Sequence, residues 1–265
     1  MHPDYPFVRE AQDTGRAKAS QPPSREEGLR PTSPREVPIR TVLFDFDGTL
    51  VDTTQLILAS FRSTWQAIFG FCPPDLTFVR TFGTHLPTAI DALIDQGVEE
   101  GLQAPPKDRR QTIEEVLQTY RRFNLAMHDE MIAPFQEIPE LLNELREAGI
   151  RLAIVSSKMR GGVERGLRLF DLAESFELIV GAEDVKAHKP HPEPLERALA
   201  TLGLAADEAL YIGDSIHDIA AGRAAGLRTA AAGWGPFPHE ELAAALPDYL
   251  LLTPLELISL PGLAG

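Results

Sequence analysis

The run Thr41-Val42-Leu43-Phe44-Asp45-Phe46-Asp47-Gly48-Thr49-Leu50-Val51-Asp52-Thr53 constrains this chain more than any other stretch. A strand-length apolar run leads into two carboxylates one residue apart, then a glycine that permits a sharp turn, then a hydroxyl. A strand covered on both faces of a parallel sheet reads as such an apolar run, and in open α/β sheets ligands gather beyond the carboxyl ends of the strands. Asp-Gly also closes β-hairpins, but a hairpin needs a second strand at once, and Leu50 to Thr53 run instead into helical periodicity. Two carboxylates this close repel each other and favour protonation of one unless a cation lies between them, which points to a hard divalent ion such as Mg²⁺.

At 265 residues the chain can hold one large or two modest domains with a real core. Its net charge of −14 argues against nucleic acid or an anionic membrane as a main partner, since both want a basic face. Cys72 stands alone, so no intrachain disulfide can form. No stretch reaches the length of a membrane span and the N-terminus lacks the apolar centre of a signal peptide, so a cytoplasmic location is expected. Residues 1–36 are rich in Pro, Ser, Arg and Glu with few apolar residues, a composition that cannot offset the entropy of ordering; a disordered tail is expected there.

After the opening strand, Asp52 with Gln55 three residues on has a capping-box pattern, and Ile57, Phe61, Trp65 and Ile68 recur at helical spacing. Helices and loops continue to about residue 130, with the last helix placing Leu117, Tyr120, Phe123 and Met127 on one face. This is a helical insert after the first strand. Ile138, Leu141, Leu142, Leu145 and Ala148 then make a helical stripe ended by Gly149. Strands follow at 151–156, 176–180, 209–213 and 228–232, alternating with helices around 163–170, 192–202 and 216–225. Such alternation predicts a parallel sheet with helices on both faces, an α/β fold.

Against that scaffold, Asp45 and Asp47 end the first strand, Ser156 and Ser157 end the second, Lys189 follows the third, and Gly213-Asp214-Ser215-Ile216-His217-Asp218 ends the fourth. One crevice can collect them all. Taken singly, Ser156 could instead cap the next helix, Asp218 could be a first-turn helix charge and Lys189 a solvated loop residue.

From about residue 40 to 265 the chain resembles the haloacid dehalogenase superfamily of phosphohydrolases, through Asp45-Phe46-Asp47-Gly48-Thr49, Ser156, Lys189-Pro190-His191-Pro192, and Gly213-Asp214 with Asp218. The resemblance implies a Rossmann-like parallel sheet core of residues 37–53 and 131–265 with an inserted helical cap domain, 54–130. It implies Asp45 as nucleophile, Asp47 as general acid/base, and Thr49, Ser156 and Lys189 on the transferred phosphate. It also implies Mg²⁺ held by Asp45 and Asp214, with Asp218 direct or through water and the Asp47 backbone carbonyl completing the shell.

Superfamily dehalogenases lack a carboxylate at the Asp47 position, and the related sugar-phosphate mutases carry a His where this chain has Ile57, so the resemblance favours a phosphohydrolase. A mutase of the same fold and a non-catalytic phosphate-ligand binding protein are the alternatives. The insert resembles the cap of the phosphoglycolate phosphatase and PpaX-type pyrophosphatase group, as do Tyr120-Arg121-Arg122-Phe123-Asn124 and the Lys189-Pro190 segment. The implied partner is a small phosphorylated metabolite or pyrophosphate, bound by a monomer or homodimer. Arg62, Arg80, His85 and Arg122 are candidate cap cations, and Gly83 lies in a loop that could face the crevice. The cap is expected to close over substrate about hinges near 52–54 and 131–134.

Overall fold

Each apolar run read from the sequence becomes a strand of one parallel sheet. The computed structural model describes residues 37–263, and the tail expected over residues 1–36 lies outside the described residues. In chain order the elements are β1 (Thr41–Phe44), β2 (Val51–Asp52), α1 (Thr54–Phe69), α2 (Asp75–Val79), α3 (Leu86–Glu99), α4 (Arg109–Met127), β3 (Ala133–Pro134), α5 (Ile138–Glu147), β4 (Arg151–Val155), α6 (Arg160–Leu169), β5 (Leu178–Val180), α7 (Glu193–Leu202), β6 (Ala209–Gly213), α8 (Ile216–Ala224), β7 (Arg228–Ala232), α9 (His239–Ala244) and β8 (Tyr249–Leu251).

The six-stranded sheet runs β5-β4-β1-β6-β7-β8. Every pairing in it is parallel, and Phe44 at the end of β1 lies level with Ile154 on one side and Ile212 on the other. From β1 the chain first builds outward through β4 and β5, then returns to build β6, β7 and β8 on the other flank. The β1–β6 junction is therefore a topological switch point, where the connections leave in opposite directions and open a crevice.

Alternation along β1 shows that both faces are covered. Val42 and Phe44 pack with Leu141, Leu145, Val163 and Leu167 from α5 and α6, whereas Leu43 packs with Leu195, Ala198 and Leu199 from α7. Gly149, with φ of 76°, ends the α5 stripe as its sequence position predicts.

Residues 54–127 form the helical body, which has a core of its own. Phe61 stacks on Phe78 at 5.0 Å between ring centroids, Trp65 meets Phe61 edge-on at 5.7 Å, and Ile90, Ile94 and Tyr120 complete the cluster. Of the stripe read on α1, Phe61 and Trp65 are fully buried while Ile57 and Ile68 are half-buried.

Three local features differ from the sequence reading. The helix-capping position is Thr53, and Asp52 lies in β2, its Oδ1 accepting from the Thr54 N–H at 3.0 Å. The strands β2 and β3 pair antiparallel, Val51 with Pro134 and Asp52 with Ala133, and so clamp the two linkers to the helical body side by side. Two-residue strands are too short to show a periodicity. The sheet also continues into β8, beyond the last strand read from the sequence.

Trp65→Ala removes the largest side chain of the helical body's core. It is expected to lower the unfolding free energy by about 3–5 kcal/mol in urea denaturation; a loss under about 1 kcal/mol would mean that this cluster contributes little to the fold.

Candidate functional site

Asp45 follows directly on β1, and its N–H donates to the Ile212 carbonyl at 2.9 Å, so the sheet ladder fixes its backbone. Next comes a tight loop in which Leu50 and Val51 both donate to the Phe46 carbonyl, at 3.0 and 3.1 Å. Gly48 turns this loop with φ of 78°, and a Cβ there would lie 2.4 Å from Asp214 Oδ2. Only glycine satisfies both the left-handed backbone and that close approach. The loop thereby brings the ends of β1 and β6 together: carboxylate oxygens of Asp45, Asp214 and Asp218, all buried, lie within 4.8 Å of one another.

Lys189, itself buried, is the compensating cation. Its Nζ is 3.1 Å from Asp45 Oδ2 and 2.6 Å from Asp218 Oδ1, and it donates to Tyr211 Oη at 3.1 Å. The Tyr211 hydroxyl proton has two acceptors within reach, Asp218 Oδ1 at 2.8 Å and the Val155 carbonyl at 3.0 Å. Asp218 Oδ2 accepts from the Ser215 hydroxyl at 2.5 Å and the Ser215 N–H at 3.1 Å, while the Ser215 hydroxyl also accepts from the Asp218 N–H, a capping box at the start of α8. Both oxygens of Asp218 are thus engaged by protein donors. Asp45 Oδ1, in contrast, is buried and has no hydrogen-bond partner.

These contacts sort the acidities. Burial pushes Asp45 up to about 6, against the lowering charge of Lys189. Asp214 is driven well above the carboxylate range, first by burial and then by Asp218 and Asp45. Burial raises Asp218 too, but the Lys189 charge and the bonds from Lys189, Ser215 and Tyr211 outweigh it and hold this carboxyl below its ordinary value. Two neighbouring carboxyls that resist ionisation, one with an unpartnered oxygen, are the donor set a divalent cation would relieve.

Asp47 points the other way, into a cavity of about 400 Å³ between the strand ends and the helical body. Lys158 Nζ donates to its Oδ1 at 2.8 Å. Ser156 lines the same cavity, its hydroxyl accepting from the Lys158 N–H at 3.3 Å. The Thr49 hydroxyl faces Asp214 instead, donating to Oδ1 at 3.2 Å, and Thr49 does not line the cavity. The structure therefore splits the candidate residues into a buried charge cluster (Asp45, Asp214, Asp218, Lys189, Thr49) and a cavity edge (Asp45, Asp47, Ser156), with Asp45 in both.

The helical body approaches through the loop after α2. The Ser157 hydroxyl donates to the Gly83 carbonyl at 2.7 Å, and Gly83, with φ of 81°, sits so close to Ser215 that a Cβ would lie 2.2 Å from its Oγ. The His85 and His188 rings stack across the same boundary, 3.7 Å between centroids. Of the four cap cations considered from sequence, only His85 lines the cavity. Arg62 pairs with Asp75, Arg80 with Glu241 at 3.3 Å, and Arg122 lies over the ring of its neighbour Phe123.

Lys158 and Tyr211 escaped the sequence reading, and Arg121 entered it only within the Tyr120-Arg121-Arg122-Phe123-Asn124 segment, not among the cap cations. Lys158 had a signal, a cation two residues past the serine at a strand end. Arg121, which lines the cavity, could be told from Arg122 only by the rotation of α4. Tyr211 reads as an ordinary strand residue and carried no signal.

Residues 42–232 match the family model of the haloacid dehalogenase-like hydrolases. The chain is 35% identical over 224 residues to the pyrophosphatase PpaX of Halalkalibacterium halodurans, covering 84% of this chain and 97% of the relative. It is 37% identical over 213 residues to PpaX of Bacillus cereus, covering 80% and 92%. Among solved structures, a haloacid dehalogenase-like family hydrolase from Streptococcus pneumoniae superposes with a TM-score of 0.69 at 28% identity, covering 83% of this chain and 97% of that one. Among the described residues, no helix is long and apolar enough to cross a membrane.

The raised pKa of Asp45 fixes the sign of a pH effect. In the metal-free fold its stabilising contribution is full below its ordinary value of 3.8 and is lost as pH rises through about 6, because the buried group must then ionise. A divalent cation binds the ionised form, so the rise in Tm that it produces is expected to be larger at about pH 7.5 than at about pH 5. An equal rise at both, read by thermal melts with and without the cation, would remove Asp45 from the cation site.

Proposed function

The chain belongs to the haloacid dehalogenase-like hydrolases and is a phosphatase of that family, and we propose that it cleaves a small phosphate ester or anhydride through an aspartyl-phosphate intermediate, with Mg²⁺ as its metal. The observation that carries this reading is Asp45: one oxygen is held by Lys189, the other is buried without a partner, and the residue lines the cavity.

In the first step Asp45 attacks phosphorus, the bond from phosphorus to the leaving oxygen breaks, and that oxygen takes a proton from Asp47. In the second, water attacks the same phosphorus and gives a proton to Asp47, the bond to Asp45 breaks, and inorganic phosphate leaves with both carboxyls restored. Asp47 begins paired with Lys158 at 2.8 Å, so that lysine must exchange its carboxylate partner for the arriving phosphate before Asp47 can act as an acid. Ser156 donates its hydroxyl to the phosphoryl oxygens, and Lys189 adds a fixed charge beside the nucleophile. Asp45 and Asp214, with the Asp47 carbonyl, would hold Mg²⁺, which would supply the charge that lets a carboxylate approach a phosphate dianion. In this reading Thr49 orients Asp214, and Asp218 acts through water or by fixing Lys189, since its oxygens already accept from protein donors.

Asp45→Asn is expected to lower phosphate release by at least about 10³-fold while leaving the fold unchanged by circular dichroism. Activity within about tenfold of the parent would take the nucleophile's role from Asp45.

A further inference from the structure

The cavity above Asp45 and Asp47 offers a second phosphate few partners. Its volume of about 400 Å³ lies in the range filled by organic ligands, about 300–1,000 Å³. Past the carboxylates, the walls are mostly apolar, Ile57, Phe61, Phe82, Leu86, Leu125 and Met159 among them, drawn from the helical body and from the loop after β4, and the polar side chains between them, Thr81, Thr84, Asn124 and Ser157, already donate to acceptors within the protein. The cations that line it are few: Lys158, paired with Asp47 at 2.8 Å, is the one that turns to the transferred phosphoryl group, which leaves Arg121 on α4 for the rest of the substrate. His85 adds no charge near neutrality, because burial, then His188 and Arg121, push its imidazole down to about 4. Arg62 and Arg80 are paired with carboxylates elsewhere. The phosphate leaving group of inorganic pyrophosphate would carry its charge into a mostly apolar enclosure with one arginine to meet it, a costly desolvation. An apolar leaving group would instead remove both itself and these walls from water.

We propose that the preferred substrate is a phosphate monoester of an alcohol with an apolar body, aromatic or branched aliphatic, rather than inorganic pyrophosphate. This rests on the phosphatase reading above and narrows it to one substrate class. Water is the only co-reactant. The bond between phosphorus and the alcohol oxygen breaks, that oxygen leaves with the proton from Asp47, and the phosphoryl group leaves Asp45 as inorganic phosphate after attack by water.

The test is kcat/KM for phenyl phosphate, 1-naphthyl phosphate, 2-phosphoglycolate and pyrophosphate, measured on the full chain with Mg²⁺. The aryl esters are expected to exceed pyrophosphate and phosphoglycolate by about tenfold or more. Leu125, 63% exposed, can be changed without opening the core of the helical body. Leu125→Arg should lower kcat/KM for the naphthyl ester by about fivefold or more and raise it for pyrophosphate. Pyrophosphate turned over as well as or better than the aryl esters would overturn the substrate assignment and leave the phosphatase reading standing. No turnover of any of the four by the folded protein would overturn that reading, and the substrate assignment with it.

Discussion

Three carboxylates and one ammonium group, all buried where β1 and β6 diverge, set the terms for the rest of the structure. Asp45, Asp214 and Asp218 repel one another in a region where water cannot screen them, and Lys189 offsets only part of that repulsion. Removing one partner of a buried pair typically costs about 3–5 kcal/mol, so the lysine contributes to the stability of the fold as well as to charge at the site. The surroundings follow from that constraint. Tyr211 and Ser215 spread the charge of Asp218 over hydrogen bonds, Thr49 does the same for Asp214, and Gly48 keeps the loop clear of the Asp214 carboxylate. Asp45 Oδ1 still has no partner, and Asp45 and Asp214 both resist ionisation, a strain that a divalent cation would relieve.

The sheet was largely legible because a parallel strand covered on both faces must be an apolar run. The strands at 209–213 and 228–232 match their sequence boundaries, and that at 151–156 ends one residue early. The elements that escaped are those with no periodicity to read, the two-residue β2 and β3, or with a weak one, β8. Strand ends were legible for the same reason as strands, which is why Asp45, Ser156 and Asp214 could be read as lying just past β1, β4 and β6. Contacts made through the third dimension were not. Nothing in the spacing of Tyr211 shows that its hydroxyl reaches Asp218, nor does the sequence tell Thr49 on Asp214 from Thr49 on a phosphate. The capping box at Ser215 and Asp218 shows how two readings can hold together: Asp218 caps α8 and, with its other oxygen, holds Lys189.

The helical body contributes shape and little charge. Its aromatic core fixes α1 against α4, and these helices with the loop after α2 wall the cavity. Contacts to the rest of the chain include Gly83 on Ser157 and Ser215 and the His85–His188 stack, close to the strand ends that carry the candidate residues, and Arg80 on Glu241. The β2–β3 clamp ties the two linkers at one point, so rotation there would carry the whole cavity roof towards or away from Asp47. The apolar walls and the strand-end carboxylates thus face one space.

The central claim is that Asp45 is both a metal ligand and the acceptor of the phosphoryl group, through its unpartnered oxygen. A crystal structure with Mg²⁺ and beryllium fluoride, which mimics a phosphoryl group on a carboxylate, tests both roles at once. Beryllium is expected on Asp45 Oδ1, with Oδ2 still on Lys189 and Mg²⁺ between Asp45 and Asp214. Beryllium fluoride on another residue, or Mg²⁺ bound away from these two carboxylates, would contradict it.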